Sequence, residues 1–231
     1  MNNVKLVLDL NQNDPFEAST EKASLSILLK ENEKYKSNFR NNLLFKLMQS
    51  NYFNTQQKKN TLLDYFQTWS SHFQQMIFLR IAYCSDPDFI PIFHKHFDEE
   101  YGHDKILLKE RNNRPLLEDT ILESLCNWFP SKVISFTPHE QIVLINLCLE
   151  ASSVIFHEYA IPALDPELKL NYFRLHEEVD TSHEKMGNYL LKDLEEFHYK
   201  KLLLIQERAW QMFEALINRI AELCIKSEQN K

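Results

Sequence analysis

Apolar positions recur along this chain at three- and four-residue steps, the period of amphipathic helices rather than strands. Ala23, Ile27 and Leu28, then Leu43, Leu44, Leu47 and Met48, predict helix from about Ser19 to Tyr52 with a break near Asn41. Gln56 to Asn60 reads as a polar connector, and a long helix follows through Leu62, Tyr65, Phe66, Trp69, Phe73, Met76, Ile77 and Ile81. Asp86-Pro87 pairs an N-cap residue with proline at the first helical position, predicting one helix from about Pro87 to Asn112. A shorter helix, about Leu116 to Phe129, should stop at Pro130. Thr137-Pro138-His139-Glu140 is a capping box that opens a helix to about Ala160. Asp165-Pro166 starts the next, and an amphipathic segment through Leu203, Trp210, Phe213, Leu216 and Ile220 runs to about Lys226.

This pattern predicts an all-α, single-domain protein: a polar lead-in over 1–18, a helical domain over 19–226 and a polar tail over 227–231. A chain of 231 residues suits one core and would cramp two. The apolar fraction of 44%, with 16 Phe, 9 Tyr and 3 Trp, excludes global disorder, and only two glycines argue against a turn-rich β fold. A net charge of −7 argues against nucleic acid as partner. Cys84, Cys126, Cys148 and Cys224 form no CxxC pair and no disulfide scaffold. The N-terminus lacks the apolar run of a signal peptide, and no later stretch reads as a membrane span. Together these features predict a reduced, cytoplasmic protein with no membrane partner.

Two polar stripes interrupt the apolar helix faces. His176, Asp180 and His183 stand at i, i+4 and i+7, which share one side of a helix, and the same spacing recurs as His96, Glu100 and His103. Glu150 is the only charged residue between Glu140 and His157. A carboxylate buried alone there would cost several kcal/mol, so it needs a counter-charge. If metal alone supplied that charge, Glu150→Gln should leave the metal-free protein as stable or more so. Acid-x-x-His pairs with extra carboxylates are the di-iron pattern of four-helix carboxylate proteins. Glu100, Glu150 and Asp180 supply three carboxylates, and His103, His176 and His183 three imidazoles, enough for a dinuclear cage. Glu99 also reaches His103 at i+4 and could replace Glu100. His96 reads as a hydrogen-bonding neighbour of the ligands rather than a ligand.

Glu195-x-x-His198 repeats the acid–histidine spacing, but Lys192, Asp193, Glu196, Lys200 and Lys201 around it mark a solvated face. His72, His94, His139 and His157 read as ordinary histidines. Both glycines lie beside proposed ligands, Gly102 before His103 and Gly187 one turn after His183. That placement suggests a local bulge or a close helix approach there, although helix packing alone also accounts for it.

At Asp98-Glu99-Glu100-Tyr101-Gly102-His103, Cys148-Leu149-Glu150 and His176-x3-Asp180-x2-His183 the chain resembles the heme-oxygenase-like di-iron oxidases. That superfamily also contains the TenA and PqqC proteins, and the similarity spans about residues 40 to 220. The resemblance implies a seven-helix heme-oxygenase-like bundle with two Fe(II) ions, Mn being admitted at one site. It implies one iron held by Glu100, His103 and His176, the other by Glu150, Asp180 and His183, and a carboxylate bridging them. A histidine three residues after its glutamate is similar to the alkene-forming fatty-acid decarboxylases. The CADD-type branch has it seven residues after, where this chain carries Leu107, and relatives commonly carry Asn where His96 stands.

The activity so implied is oxidation of a small organic substrate, fatty-acid-like or amino-acid-derived, with O2 as co-substrate and a separate electron donor. Oxidative decarboxylation or C–C cleavage, desaturation and N-oxygenation are the reaction types, Tyr172 is a candidate cavity wall, and a homodimer is admitted. Two other readings stay open. One is a metal-free TenA-like enzyme of thiamin salvage, with Cys148 as its candidate nucleophile. The other is a helical interaction protein that keeps a vestigial metal site.

Overall fold

The structure is a computed structural model that describes residues 22–167 and 169–229, with 177–182 and 229 described by backbone alone. Its helices are α1 (Leu25–Phe39), α2 (Leu43–Gln49), α3 (Gln56–Tyr83), α4 (Ile90–Glu100), α5 (His103–Glu110), α6 (Thr120–Ser135), α7 (Pro138–Leu164), α8 (Asn171–His183) and α9 (Glu196–Gln229). A short 3-10 turn covers Asn188–Leu191, and no strand occurs among the described residues. The all-α expectation holds. Counting α4 and α5 as two arms of one broken helix, the described residues form eight helices rather than seven. The extra one arises at Asn42, whose extended backbone stops the first helix and whose side chain accepts from the Leu44 N–H to start α2.

Several boundaries differ from those the sequence predicts. Gln56 to Asn60 is no connector: Thr55 caps the Lys58 N–H, and these residues form the first turn of α3. Asp86 caps only the Asp88 N–H, residues 87–89 form a turn, and α4 begins at Ile90 with Pro91 in its first turn. Helix α6 runs through Pro130 to Ser135, because packing against α3 outweighs the propensity of one residue. The Thr137–Glu140 capping box forms as predicted. Asp165 starts no helix directly; its carboxylate accepts from the N–H groups of Lys169 and Leu170, and α8 begins at Asn171. Helix α9 continues to Gln229, into the expected tail.

Helix α7 is the spine of the core. Its stretch Ile142–Glu150 is π-helical, with every residue buried. Such i→i+5 segments concentrate at functional sites. By length and composition α7 could cross a membrane, which the sequence reading did not pick out, but 78% of its most apolar window is buried inside the fold, as in a core helix. Asn32 on α1 donates to the Leu147 carbonyl at 2.8 Å and accepts from Gln206 and Trp210 on α9, tying three helices together through buried polar groups. Around that knot Trp69, Phe129, Phe213, Phe39 and Trp210 pack ring to ring. Each such ring contributes roughly 2–3 kcal/mol by leaving water. On the other side, the Glu110 carboxylate of α5 accepts from the N–H groups of Asn171 and Tyr172, fixing the start of α8 against α5.

Candidate metal centre

The elements that carry the candidate ligands meet at a break in one of them. After Glu100 the backbone turns at Tyr101 and passes through Gly102 at φ 86°, a left-handed value that glycine adopts without strain. The Gly102 N–H donates to Gln74 Oε1 at 2.7 Å, and His103 opens α5. His96, Glu100 and His103 therefore do not form one continuous helical stripe. The break, rather than the i, i+4, i+7 rule, sets the position of His103. His176 and His183 do lie on one helix, α8.

Two groups of metal-ligating atoms result, each within 4.8 Å: Glu100, His103 and His176 in one, and His96, Glu100, Glu150 and His183 in the other. Glu100 belongs to both. Its Oε2 lies 3.0 Å from His103 Nδ1, and its Oε1 lies 3.1 Å from His183 Nδ1. Two donors bound to one divalent ion at about 2.1 Å each, roughly at right angles, stand about 3 Å apart. Glu100 Oε1 and His183 Nδ1 are buried and face each other, with no hydrogen-bond partner besides one another. Buried polar atoms seldom lack a partner, and this pair can share either a proton or a metal cation. Donor set and spacing both suit divalent metal. Asp180, the sixth predicted ligand, has a side chain outside the described residues.

The far nitrogens of the histidines fix which nitrogen faces the centre. His176 Nδ1 donates to the Tyr172 carbonyl at 2.7 Å, so its Nε2 carries the lone pair. His183 Nε2 donates to Glu99 Oε2 at 3.0 Å, leaving Nδ1 toward Glu100 and, at 3.6 Å, Glu150. Glu99 is therefore no substitute for Glu100; it holds the back of a histidine. His96 Nε2 lies 2.8 Å from Glu150 Oε1, and its Nδ1 lies 3.0 Å from Arg80 Nη1.

Electrostatics follow from this packing. Burial pushes the Glu100 carboxyl up, but His103 and His183 beside it outweigh burial and hold it well below the usual carboxylate range. Burial likewise raises Glu150, and His183 and His96 reverse the sign. For His183 burial favours the neutral ring, yet the Glu100 and Glu150 carboxylates push it up to about 11. Arg80, wholly buried, is brought down to about 9 by desolvation, against the pull of Glu150. The counter-charge that Glu150 requires is thus present within the protein. It is not the uncompensated carboxylate implied by the apolar run in the sequence.

Beside the centre lies a cavity of about 40 Å³. Glu100, His103, Glu150 and His176 face it, with Phe66, Trp69, Phe73, Phe156, Tyr172 and Phe213 as its aromatic wall. Tyr172 is a wall residue, as the sequence suggests. Gln74 also lines the cavity, and because its Oε1 is taken by Gly102, its buried Nε2 is a donor without a partner. Cys148 does not line it: its Sγ sits 4.0 Å from the Gln206 carbonyl, and burial raises the thiol well above its ordinary value. Glu195 and His198 are exposed, as the lysine-rich surroundings predict.

Sequence reasoning passed over Arg80, Asn146 and Gln74. Arg80 donates to Asn146 Oδ1 at 2.7 Å, and Asn146 Nδ2 donates to the His183 carbonyl at 3.0 Å. The signals were present: Arg80 follows Met76 and Ile77 at helical spacing on the apolar stripe, and Asn146 interrupts the apolar run four residues before Glu150.

No family model matches the chain. It is 33% identical over 199 residues to a protein of Rickettsia prowazekii (strain Madrid E) described as "Uncharacterized protein RP592". The alignment covers 86% of this chain and 95% of that protein.

Proposed function

The chain belongs to the same family as the uncharacterized rickettsial protein, and for this member we propose a non-heme di-iron oxidase or oxygenase of heme-oxygenase-like type, oxidising a small organic substrate with O2. The supporting observation is Glu100, whose two oxygens each stand about one shared-ligand distance from a different histidine. A carboxylate so placed offsets the repulsion between two adjacent cations. Glu100, His103 and His176 would hold one iron; Glu100, Glu150 and His183, with Asp180 as the remaining candidate, would hold the other.

Bound iron would supply the O2 and one-electron chemistry. The protein's own part is placement and exclusion. Glu99 and the Tyr172 carbonyl orient His183 and His176. The aromatic wall keeps bulk water from the carboxylates. The Gln74 Nε2 donor offers an anchor for a carbonyl or carboxylate oxygen of the substrate. A volume of about 40 Å³ is room for only a few waters, so a fatty-acid-like and an amino-acid-derived substrate alike would require the wall to move. A metal-free enzyme using Cys148 is disfavoured, because the thiol is turned away from the cavity.

Anaerobic loading with Fe(II) followed by desalting tests the reading. Close to two irons per chain should remain, and the loaded protein should consume O2 when given an electron donor. A folded protein that retains none overturns the proposal.

A further inference from the structure

His96 belongs by position to the second group of metal-ligating atoms, beside Glu100, Glu150 and His183. Its other side decides its role. Arg80 Nη1 lies 3.0 Å from His96 Nδ1, and a guanidinium has donors only. Nδ1 must therefore accept. In a neutral imidazole the proton then sits on Nε2, which points at Glu150 Oε1, 2.8 Å away. A nitrogen carrying a proton has no lone pair for a metal. We infer that Arg80 locks His96 as a hydrogen-bond donor to Glu150 and so keeps it from ligating the metal.

The lock is rigid because Arg80 has nowhere else to go. It is fully buried, its guanidinium lies 3.7 Å from the Phe93 ring centroid, and its Nη2 is held by Asn146 at 2.7 Å. Asn146 in turn holds the His183 carbonyl. One buried cation thus sets the tautomer of a histidine beside the centre and braces the backbone of a ligand on another helix. For Glu150, an N–H donor on Oε1 withdraws charge from that oxygen and leaves Oε2, 3.6 Å from His183, as the better metal donor. The second metal position then has one protein donor fewer than its neighbours could provide, which leaves room for an exogenous ligand. Arg80 and His96 are positioning residues.

This inference rests on the metal-centre reading, and the test separates the two. Zn(II) serves as the probe because it is diamagnetic, and ¹⁵N-histidine NMR reads each ring nitrogen directly, with His96 assigned through His96→Gln. The expected result is a proton on Nε2 and none on Nδ1, both in the metal-free protein and after Zn(II) is added. Zinc should shift the signals of His103, His176 and His183. A proton on His96 Nδ1 in the metal-free protein, or loss of the Nε2 proton on adding zinc, overturns the lock. If zinc shifts no histidine, the metal-centre reading falls, while the metal-free spectrum still decides the tautomer. Arg80→Met, which removes the donors, should let zinc displace the His96 Nε2 proton, and Arg80→Lys, which restores a donor, should prevent it. If Arg80→Met does not fold, the wild-type and Arg80→Lys spectra carry the test. Retention of the Nε2 proton in zinc-loaded Arg80→Met would show that Arg80 is not the lock.

Discussion

Glu99 Oε2 lies 3.0 Å from His183 Nε2, so a partly exposed carboxylate orients a fully buried imidazole whose other nitrogen faces Glu100 and Glu150. Removing such a partner from a metal ligand typically lowers affinity about 10–100-fold. Glu99→Ala should do so while costing little stability, since its side chain is 34% exposed and the region it leaves is open to water. Chelator competition with Zn(II) measures the affinity, and an unchanged value would remove Glu99 from the centre.

The centre and its lookalike predict opposite outcomes for the same substitution. His103→Ala, His176→Ala and His183→Ala should each abolish oxygen-dependent chemistry and reduce iron retention. His198→Ala should do neither, because His198 is on the surface beside exposed Glu195. Equal damage from His198→Ala and His183→Ala would mean that the wrong helix faces have been assigned to the site.

Those two sets of histidines show what the sequence reveals and where it stops. Helical periodicity exposed the all-α class, and the charge around His198 separated surface from site. The capping box at Thr137 was legible because its reciprocal hydrogen bonds involve only neighbouring residues. The break at Gly102 was not. Local spacing predicts one continuous helix there, and the φ of 86° is stabilised by a tertiary hydrogen bond from the Gly102 N–H to Gln74, on another helix. Arg80 was missed for a related reason: its partners His96 and Asn146 lie on two other helices, and only the fold brings them together. The π-helical stretch before Glu150 is uniformly apolar apart from Asn146, so it has no period from which its winding could be read.

Glu150 gives a prediction that the structure reverses. As a lone carboxylate in an apolar run, its replacement by Gln should have left the metal-free protein unharmed. In the fold it accepts from His96 and lies within ion-pair reach of the raised His183, with Arg80 beyond His96. Glu150→Gln retains an acceptor for His96 but removes a buried negative charge from between two cations. It should therefore destabilise the metal-free protein by about 1–3 kcal/mol. It should also remove most of the stabilisation that anaerobic Fe(II) gives the wild type. Melts with and without metal measure both effects, and a full metal-induced shift in Glu150→Gln would show that it is not a ligand.

The two glycines separate backbone strain from steric exclusion. Both have positive φ, 86° at Gly102 and 81° at Gly187. A Cβ at Gly102 would meet nothing within 4 Å, so Gly102→Ala carries only the left-handed penalty, about 1–2 kcal/mol. At Gly187 a Cβ would stand 2.3 Å from Ile142 Cδ1, at the start of the π-helical stretch. Gly187→Ala should add a core clash and cost about 2–5 kcal/mol in all. Denaturant unfolding of both variants measures the difference. Equal losses would mean that Ile142 yields freely and the close approach is unimportant.

Metal uptake should release protons. In the metal-free protein burial favours a neutral His183, but Glu100 and Glu150 outweigh it and push the ring up to about 11, so it is protonated at neutral pH. A metal binds only the neutral imidazole. Binding at His183 must then displace about one proton, and apparent affinity should rise about tenfold per pH unit from this group alone. Stability runs the other way. A histidine whose folded value exceeds its unfolded value of about 6.5 contributes in full below that pH, and the contribution is lost as pH rises toward about 11. Between about pH 7 and 9 the His183 contribution to metal-free stability should therefore fall while metal binding tightens. Calorimetric titration with Zn(II) in two buffers of different ionisation enthalpy counts the protons, and melts across the same range follow the stability. Release of no proton would mean that His183 is neutral before metal arrives, or that metal does not bind there; zinc-dependent shifts of its ring nitrogens would tell which.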